Sequence, residues 1–201
     1  MNNSITLQKT LSKEVELNGV GLHTGKQVKL KFVPAPVNTG FVFVRTDVTP
    51  NVKIPADIQY VINTDRGTNL EKDSYKIQTS EHVLAALVGM GVDNCFIELD
   101  ESESPIMDGS SKFFVEAIES AGVVEQSERR CEYVVTEIIS YRDEETGSEI
   151  TLIPSDTFQV TTMVDFQTKV LGTQNASLDN ITDFKNEIAP ARTFSFLHEL
   201  E

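Results

Sequence analysis

SEHVLAALVGMGVDNCFIEL, residues 80–99, contains one complete change of secondary structure. Val83, Leu84, Leu87 and Val88 recur at helical spacing, Ser80 stands where a helix cap is expected, and Gly89 and Gly91 end the pattern. NCFIEL at 94–99 then reads as a strand. A helix feeding directly into a strand predicts an α+β protein, and the surrounding sequence agrees.

Upstream, Val28, Leu30 and Phe32 alternate with lysines, and FVFVRT at 41–46 is β-branched and aromatic. Pro34, Pro36, Asn38 and Gly40 mark a turn between these two runs, so a hairpin or meander is expected. Downstream, Phe113, Phe114, Ala117, Ile118 and Ala121 predict a second helix over roughly 110–121, stopped by Gly122. Two helices on one sheet follow. VVEQSERRC at 123–131 is polar and charged, which makes it the best linker candidate. Beyond it, strands are predicted at 133–140, 148–154 and 158–166, and 168–187 reads as polar and irregular. The second unit shows no complete helix to cover its sheet, so the native chain is expected to continue past residue 201.

With 201 residues the chain is long enough to bury a core without staples, and its two cysteines, Cys95 and Cys131, form no C-x-x-C pair. A reduced, cytoplasmic protein is the simplest account. No apolar run approaches the length of a membrane span, and a net charge of −14 opposes nucleic-acid binding. Lys26, Lys29 and Lys31 form a small basic cluster, which reads first as the solvated face of a strand.

Three short segments invite a chemical reading. Glu81 and His82 fall together in the first turn of the predicted helix, where the macrodipole favours a carboxylate and a neutral imidazole. Such a pair suits a metal ligand beside a general base, although Glu is also an ordinary helix-start residue. GVGLHTGK at 19–26 fails both phosphate-loop patterns, because Thr24 replaces the last glycine of G-x-G-x-x-G and Val20 stands where a Walker loop needs glycine. What remains is a glycine turn carrying His23. In SPIMDGSS at 104–111, Asp108 reads as a turn or helix-start anchor.

Together with RTD at 45–47 and ARTF at 191–194, these segments follow one another in an order that resembles the UDP-3-O-acyl-N-acetylglucosamine deacetylase family. The resemblance implies two domains, each a two-layer α/β sandwich, here residues 1–124 and 125–201 with the second incomplete. It implies an active site in the cleft between them and zinc-assisted removal of an N-acetyl group from a UDP-linked acylated glucosamine in lipid A biosynthesis. His82 then matches the first zinc ligand, Glu81 the general base, Thr193 the oxyanion-stabilising threonine, and Phe194 and His23 residues of the substrate cleft. A catalytic zinc lowers the pKa of bound water and polarises a carbonyl, and it requires about three protein ligands. The family's remaining histidine and aspartate ligands follow ARTF, and neither His23 nor His198 stands in their H-x-x-x-D arrangement. Zn2+ would therefore be held only in a longer protein, and this fragment alone is expected to be inactive. Some members of the family are fused to a fatty-acid dehydratase. A metal-free sugar-nucleotide-binding or interaction module is the alternative.

Overall fold

The computed structural model describes residues 6–194, which fall into two compact units. Of the described residues, the larger comprises 6–130 together with 184–194, and the smaller is Cys131–Asp183.

The larger unit is built on strands β1 (Leu7–Leu11), β2 (Val15–Val20), β3 (Gln27–Pro34), β4 (Phe41–Arg45) and β5 (Val52–Pro55). The short strands β6 (Val61–Asn63), β7 (Asn69–Lys72) and β8 (Tyr75–Ile77) form a separate sheet ahead of helix α1 (Glu81–Gly89). Strand β9 (Cys95–Leu99), helix α2 (Lys112–Ala121) and strand β10 (Val123–Arg129) complete it, with the short helix α3 (Phe184–Glu187) returning after the smaller unit. The main sheet runs β2-β3-β9-β4-β5.

That order corrects the expected hairpin. β3 and β4 are not neighbours, because β9 lies between them, antiparallel to β3 and parallel to β4. A parallel pair requires a long crossover, and here residues 46–94, including α1, provide it. The turn residues at 34–40 mark a true reversal, but turn chemistry does not say which strand comes to lie alongside. Phe32, Ile97, Phe43 and Ile54 stand in register across four strands, and all four are fully buried. Each contributes about 1.5–3 kcal/mol by leaving water. Phe114 of α2 meets Phe32 edge-on, with ring centroids 6.4 Å apart, so the helix layer closes over this row.

The lysine alternation in β3 has the solvated meaning expected of it. Val28, Leu30 and Phe32 are buried, while Lys29 and Lys31 point outward and pair with Glu16, Glu14 and Glu98. Gly122 stops α2 at φ 75°, as its position in the sequence predicts. The linker reading of 123–131 is overturned for 123–129, which pair with β1, Leu11 opposite Val123. β10 itself is mostly solvent-facing, so it carries polar residues and shows no apolar alternation.

The smaller unit consists of two hairpins, β11 (Ile139–Arg142) with β12 (Glu149–Leu152) and β13 (Val160–Asp165) with β14 (Thr173–Leu178). Two expectations fail here. Residues 133–138 form no strand, and 173–178, read as irregular, are a strand with six register pairs. The TQNASL composition of β14 hides it, since only Leu178 is buried. Among the described residues no helix is long and apolar enough to cross a membrane.

Candidate active site

Helix α1 begins at Glu81, and its first turn is tied to two loops. Ser80 does not cap the helix with its side chain; its hydroxyl instead donates to the Thr68 carbonyl at 2.8 Å. The backbone N–H of Thr68 in turn donates to Glu81 Oε2 at 2.8 Å. Gly67 leaves room beside this contact: a Cβ on it would lie 3.3 Å from Glu81 Oε1, so the carboxylate would have to give by a few tenths of an ångström. One carboxylate oxygen is thus anchored, and Oε1 makes no hydrogen bond among the described residues. The next residue, His82, is half-buried, and its ring has no hydrogen-bond or ion-pair partner among the described residues. Its backbone carbonyl accepts a hydrogen bond from the Ser111 hydroxyl at 3.1 Å, which fixes the start of α1 against the start of α2.

The GVGLHTG segment meets the 103–107 segment through its glycines. A Cβ on Gly19 would lie 2.8 Å from Pro105 Cβ, and one on Gly21 would lie 2.5 Å from Glu103 Oε2. Close backbone approach is therefore what these glycines provide. Glu103 is fully buried. Its Oε1 accepts from the His23 N–H at 2.9 Å and the Thr79 hydroxyl at 3.2 Å, and its Oε2 accepts from the Thr24 N–H at 2.8 Å. Burial pushes the Glu103 carboxyl up, but these donors, together with the Thr24 hydroxyl, outweigh it and hold the group below the ordinary carboxylate range. Sequence reading missed this residue. Three carboxylates in DESES at 100–104 look equivalent, and only the neighbouring glycine turn and Ser-Pro hint at a close contact.

His23 itself is exposed, and its Nε2 lies 3.3 Å from the Arg66 carbonyl oxygen, within bonding distance for the tautomer protonated there. His23 thus borders the same 66–68 loop that holds Glu81. Thr79, two residues before Glu81, has φ 55°, an unfavourable backbone for a β-branched side chain that its bond to Glu103 helps to hold.

The turn at 108–111 joins the last pieces. Asp108 Oδ1 accepts from the Ser110 N–H and hydroxyl, and the Ser110 hydroxyl bond, with Arg192 at 3.4 Å, holds Asp108 below the usual carboxylate range. The Thr193 N–H donates to the Gly109 carbonyl at 2.7 Å. Thr193 and His82 are therefore each one hydrogen bond from residues 109–111. Thr193 and Phe194 are both exposed, whereas His198 lies outside the described residues. Among the described residues no group of three metal-ligating side chains comes together. His82 is suited to be one ligand, and these residues by themselves do not fit a zinc site.

In this α+β unit, glycine-mediated contacts surround a carboxylate and an imidazole that stand side by side at one helix start. Residues 8–201 match the family described as UDP-3-O-acyl N-acetylglycosamine deacetylase, and the chain belongs to that family. It is 46% identical over 195 residues to the bifunctional enzyme LpxC/FabZ of Chlorobaculum tepidum, covering 96% of this chain and 42% of that protein. The corresponding enzyme of Bacteroides thetaiotaomicron is 40% identical, with the same coverage of 96% and 42%. UDP-3-O-acyl-N-acetylglucosamine deacetylase of Chromohalobacter salexigens is 44% identical over 198 residues, 96% of this chain and 64% of its own length. The chain thus spans less than half of the bifunctional relatives and just under two thirds of the shorter one.

Proposed function

We propose that this chain is the part of a UDP-3-O-acyl-N-acetylglucosamine deacetylase that carries the general base and the first metal ligand. The observation that supports this most is the start of α1, where the Thr68 N–H anchors Glu81 through one oxygen while the adjacent imidazole has no hydrogen-bond or ion-pair partner among the described residues.

In this reading Glu81 accepts the proton of the attacking water at Oε1, with Thr68 fixing the direction of the carboxylate. Thr193, held beside the 108–111 turn by Gly109, donates its hydroxyl to the oxyanion that forms on the amide carbonyl. His23 and Phe194 line the substrate cleft. Zn2+ is the cofactor, with His82 as one ligand and the other donors outside these 201 residues; when bound, it supplies Lewis-acid activation. A two-domain arrangement belongs to the same proposal, with β10 kept whole in the first domain by its pairing with β1. The substrate is a UDP-linked acylated glucosamine of lipid A biosynthesis, and the protein is cytoplasmic.

The names of the bifunctional relatives also support a parent chain fused to a second enzyme. The test is acetate release from the UDP-sugar by the full-length protein together with its zinc content. His82→Ala should lower both. Full zinc occupancy and turnover in His82→Ala would reject the ligand assignment. Residues 1–201 alone should hold zinc poorly and turn over negligibly.

A further inference from the structure

We propose that Glu103 is a positioning residue for the deacetylation, a buried carboxylate that sets the Glu81 loop through His23 and Thr79. The inference rests on the function proposed above but concerns a residue to which that function gives no part. Glu103 is fully buried, and its two oxygens bind three donors from two separate segments. Two are consecutive backbone N–H groups, of His23 and Thr24, and the third is the hydroxyl of Thr79.

From each of these a short path leads to Glu81. His23 Nε2 reaches the Arg66 carbonyl at 3.3 Å, and two residues on, the Thr68 N–H holds Glu81 Oε2 at 2.8 Å. Along the second path Thr79 directly precedes Ser80, whose hydroxyl and N–H both donate to the Thr68 carbonyl. Glu103 therefore clamps both ends of the arch that carries the general base. A buried carboxylate that served only to close the 21–25 turn would need the two backbone donors and not Thr79. Thr79 instead keeps a φ of 55° while bonded to it, which places its hydroxyl on the carboxylate just where the chain enters α1.

The geometry makes glutamine a severe replacement. Both carboxylate oxygens accept from backbone N–H groups, so the NH2 of a glutamine must face one donor in either orientation. The turn at 21–25 then shifts, and His23 and the 66–68 loop shift with it. Misplacing a reacting group by about an ångström lowers turnover by up to about a hundredfold, since rate depends steeply on the alignment of reacting atoms.

The experiment uses the full-length protein with wild type, Glu103→Gln, Thr79→Val and Thr79→Ser. Each is assayed for kcat and KM in acetate release, normalised to folded protein, and for hydrogen exchange of the Thr68 amide. Glu103→Gln should lower kcat at least tenfold, with any rise in KM from the displaced His23 smaller than the fall in kcat, and it should speed exchange at Thr68. Thr79→Val, which leaves the two backbone donors in place, should do the same more mildly, and Thr79→Ser should restore wild-type behaviour. If Glu103→Gln does not fold, the threonine pair decides: Val and Ser variants alike in kcat and in Thr68 exchange would overturn the proposal. So would a folded Glu103→Gln with wild-type kcat and Thr68 protection. A wild-type protein that released no acetate would instead refute the function itself, and Thr68 exchange would still read the clamp.

Discussion

Replacing Gly21 by alanine should damage the protein far more than replacing Gly25, although both glycines lie in one short turn. A Cβ on Gly21 would fall 2.4 Å from Thr24 Oγ1 and 2.5 Å from Glu103 Oε2, distances that no relaxed structure tolerates. Glu103 is fully buried and held by three donors, so it has no solvent to retreat into. Displacing it breaks at least one hydrogen bond to a charged group, about 1.5–3 kcal/mol, and adds overpacking of about 1–3 kcal/mol. The sum is roughly 2.5–6 kcal/mol, which corresponds to a Tm lower by about 5–20 °C in a protein of this size. Gly25 has φ +65° with nothing within 4 Å of a Cβ, so alanine there costs only the backbone preference, about 1 kcal/mol. Thermal unfolding followed by circular dichroism measures both. A Gly21→Ala variant within 2 °C of wild type, or one less affected than Gly25→Ala, would refute the view that these glycines serve close packing on Glu103.

The pH dependence has a defined sign. Glu103 is held below the ordinary carboxylate value of about 4.3, so its contribution to stability is full above that value and is lost as pH falls through the lower folded value. Urea midpoints between pH 7 and pH 3 should therefore fall less steeply for a folded Glu103→Gln than for wild type, and parallel slopes would contradict this. The two cysteines should differ in reactivity. Burial pushes the Cys95 thiol up to about 12, whereas Cys131 is exposed, so thiol titration of native protein should count one fast group and denatured protein two. Leu87→Ala, at a fully buried position on α1, should cost about 2–5 kcal/mol in denaturant unfolding, and a loss below 1 kcal/mol would contradict its place in the core.

Where one face of an element is buried and the other wet, the sequence states the element outright. β3 and α2 are examples, with alternating Val28, Leu30 and Phe32 and the 3–4 spacing of Phe114, Ala117, Ile118 and Ala121. The position of β9 between β3 and β4 was illegible, because periodicity carries no information about which distant strand pairs. β10 and β14 were hidden for another reason: their side chains are largely exposed, so polar composition imitates a linker or loop. At the site, Glu81 and His82 were legible as adjacent residues at a helix start. Their supports were not: Thr68 donates its backbone N–H to Glu81, and Glu103 gathers two backbone N–H groups and the Thr79 hydroxyl from residues far apart in the chain. Ser80 shows the limit most plainly. It occupies the capping position, but its hydroxyl turns to Thr68.

The most direct test of the account is the rate of acetate release by the full-length protein with Glu81→Gln, compared with wild type at the same zinc occupancy. Glutamine keeps the side-chain shape but accepts no proton from water, and loss of a general base lowers the rate by roughly a hundred- to ten-thousandfold. The account predicts a fall of that size with zinc still bound. Turnover within about threefold of wild type would contradict the assignment of Glu81 as the base and, with it, the reading of the α1 start as the catalytic centre.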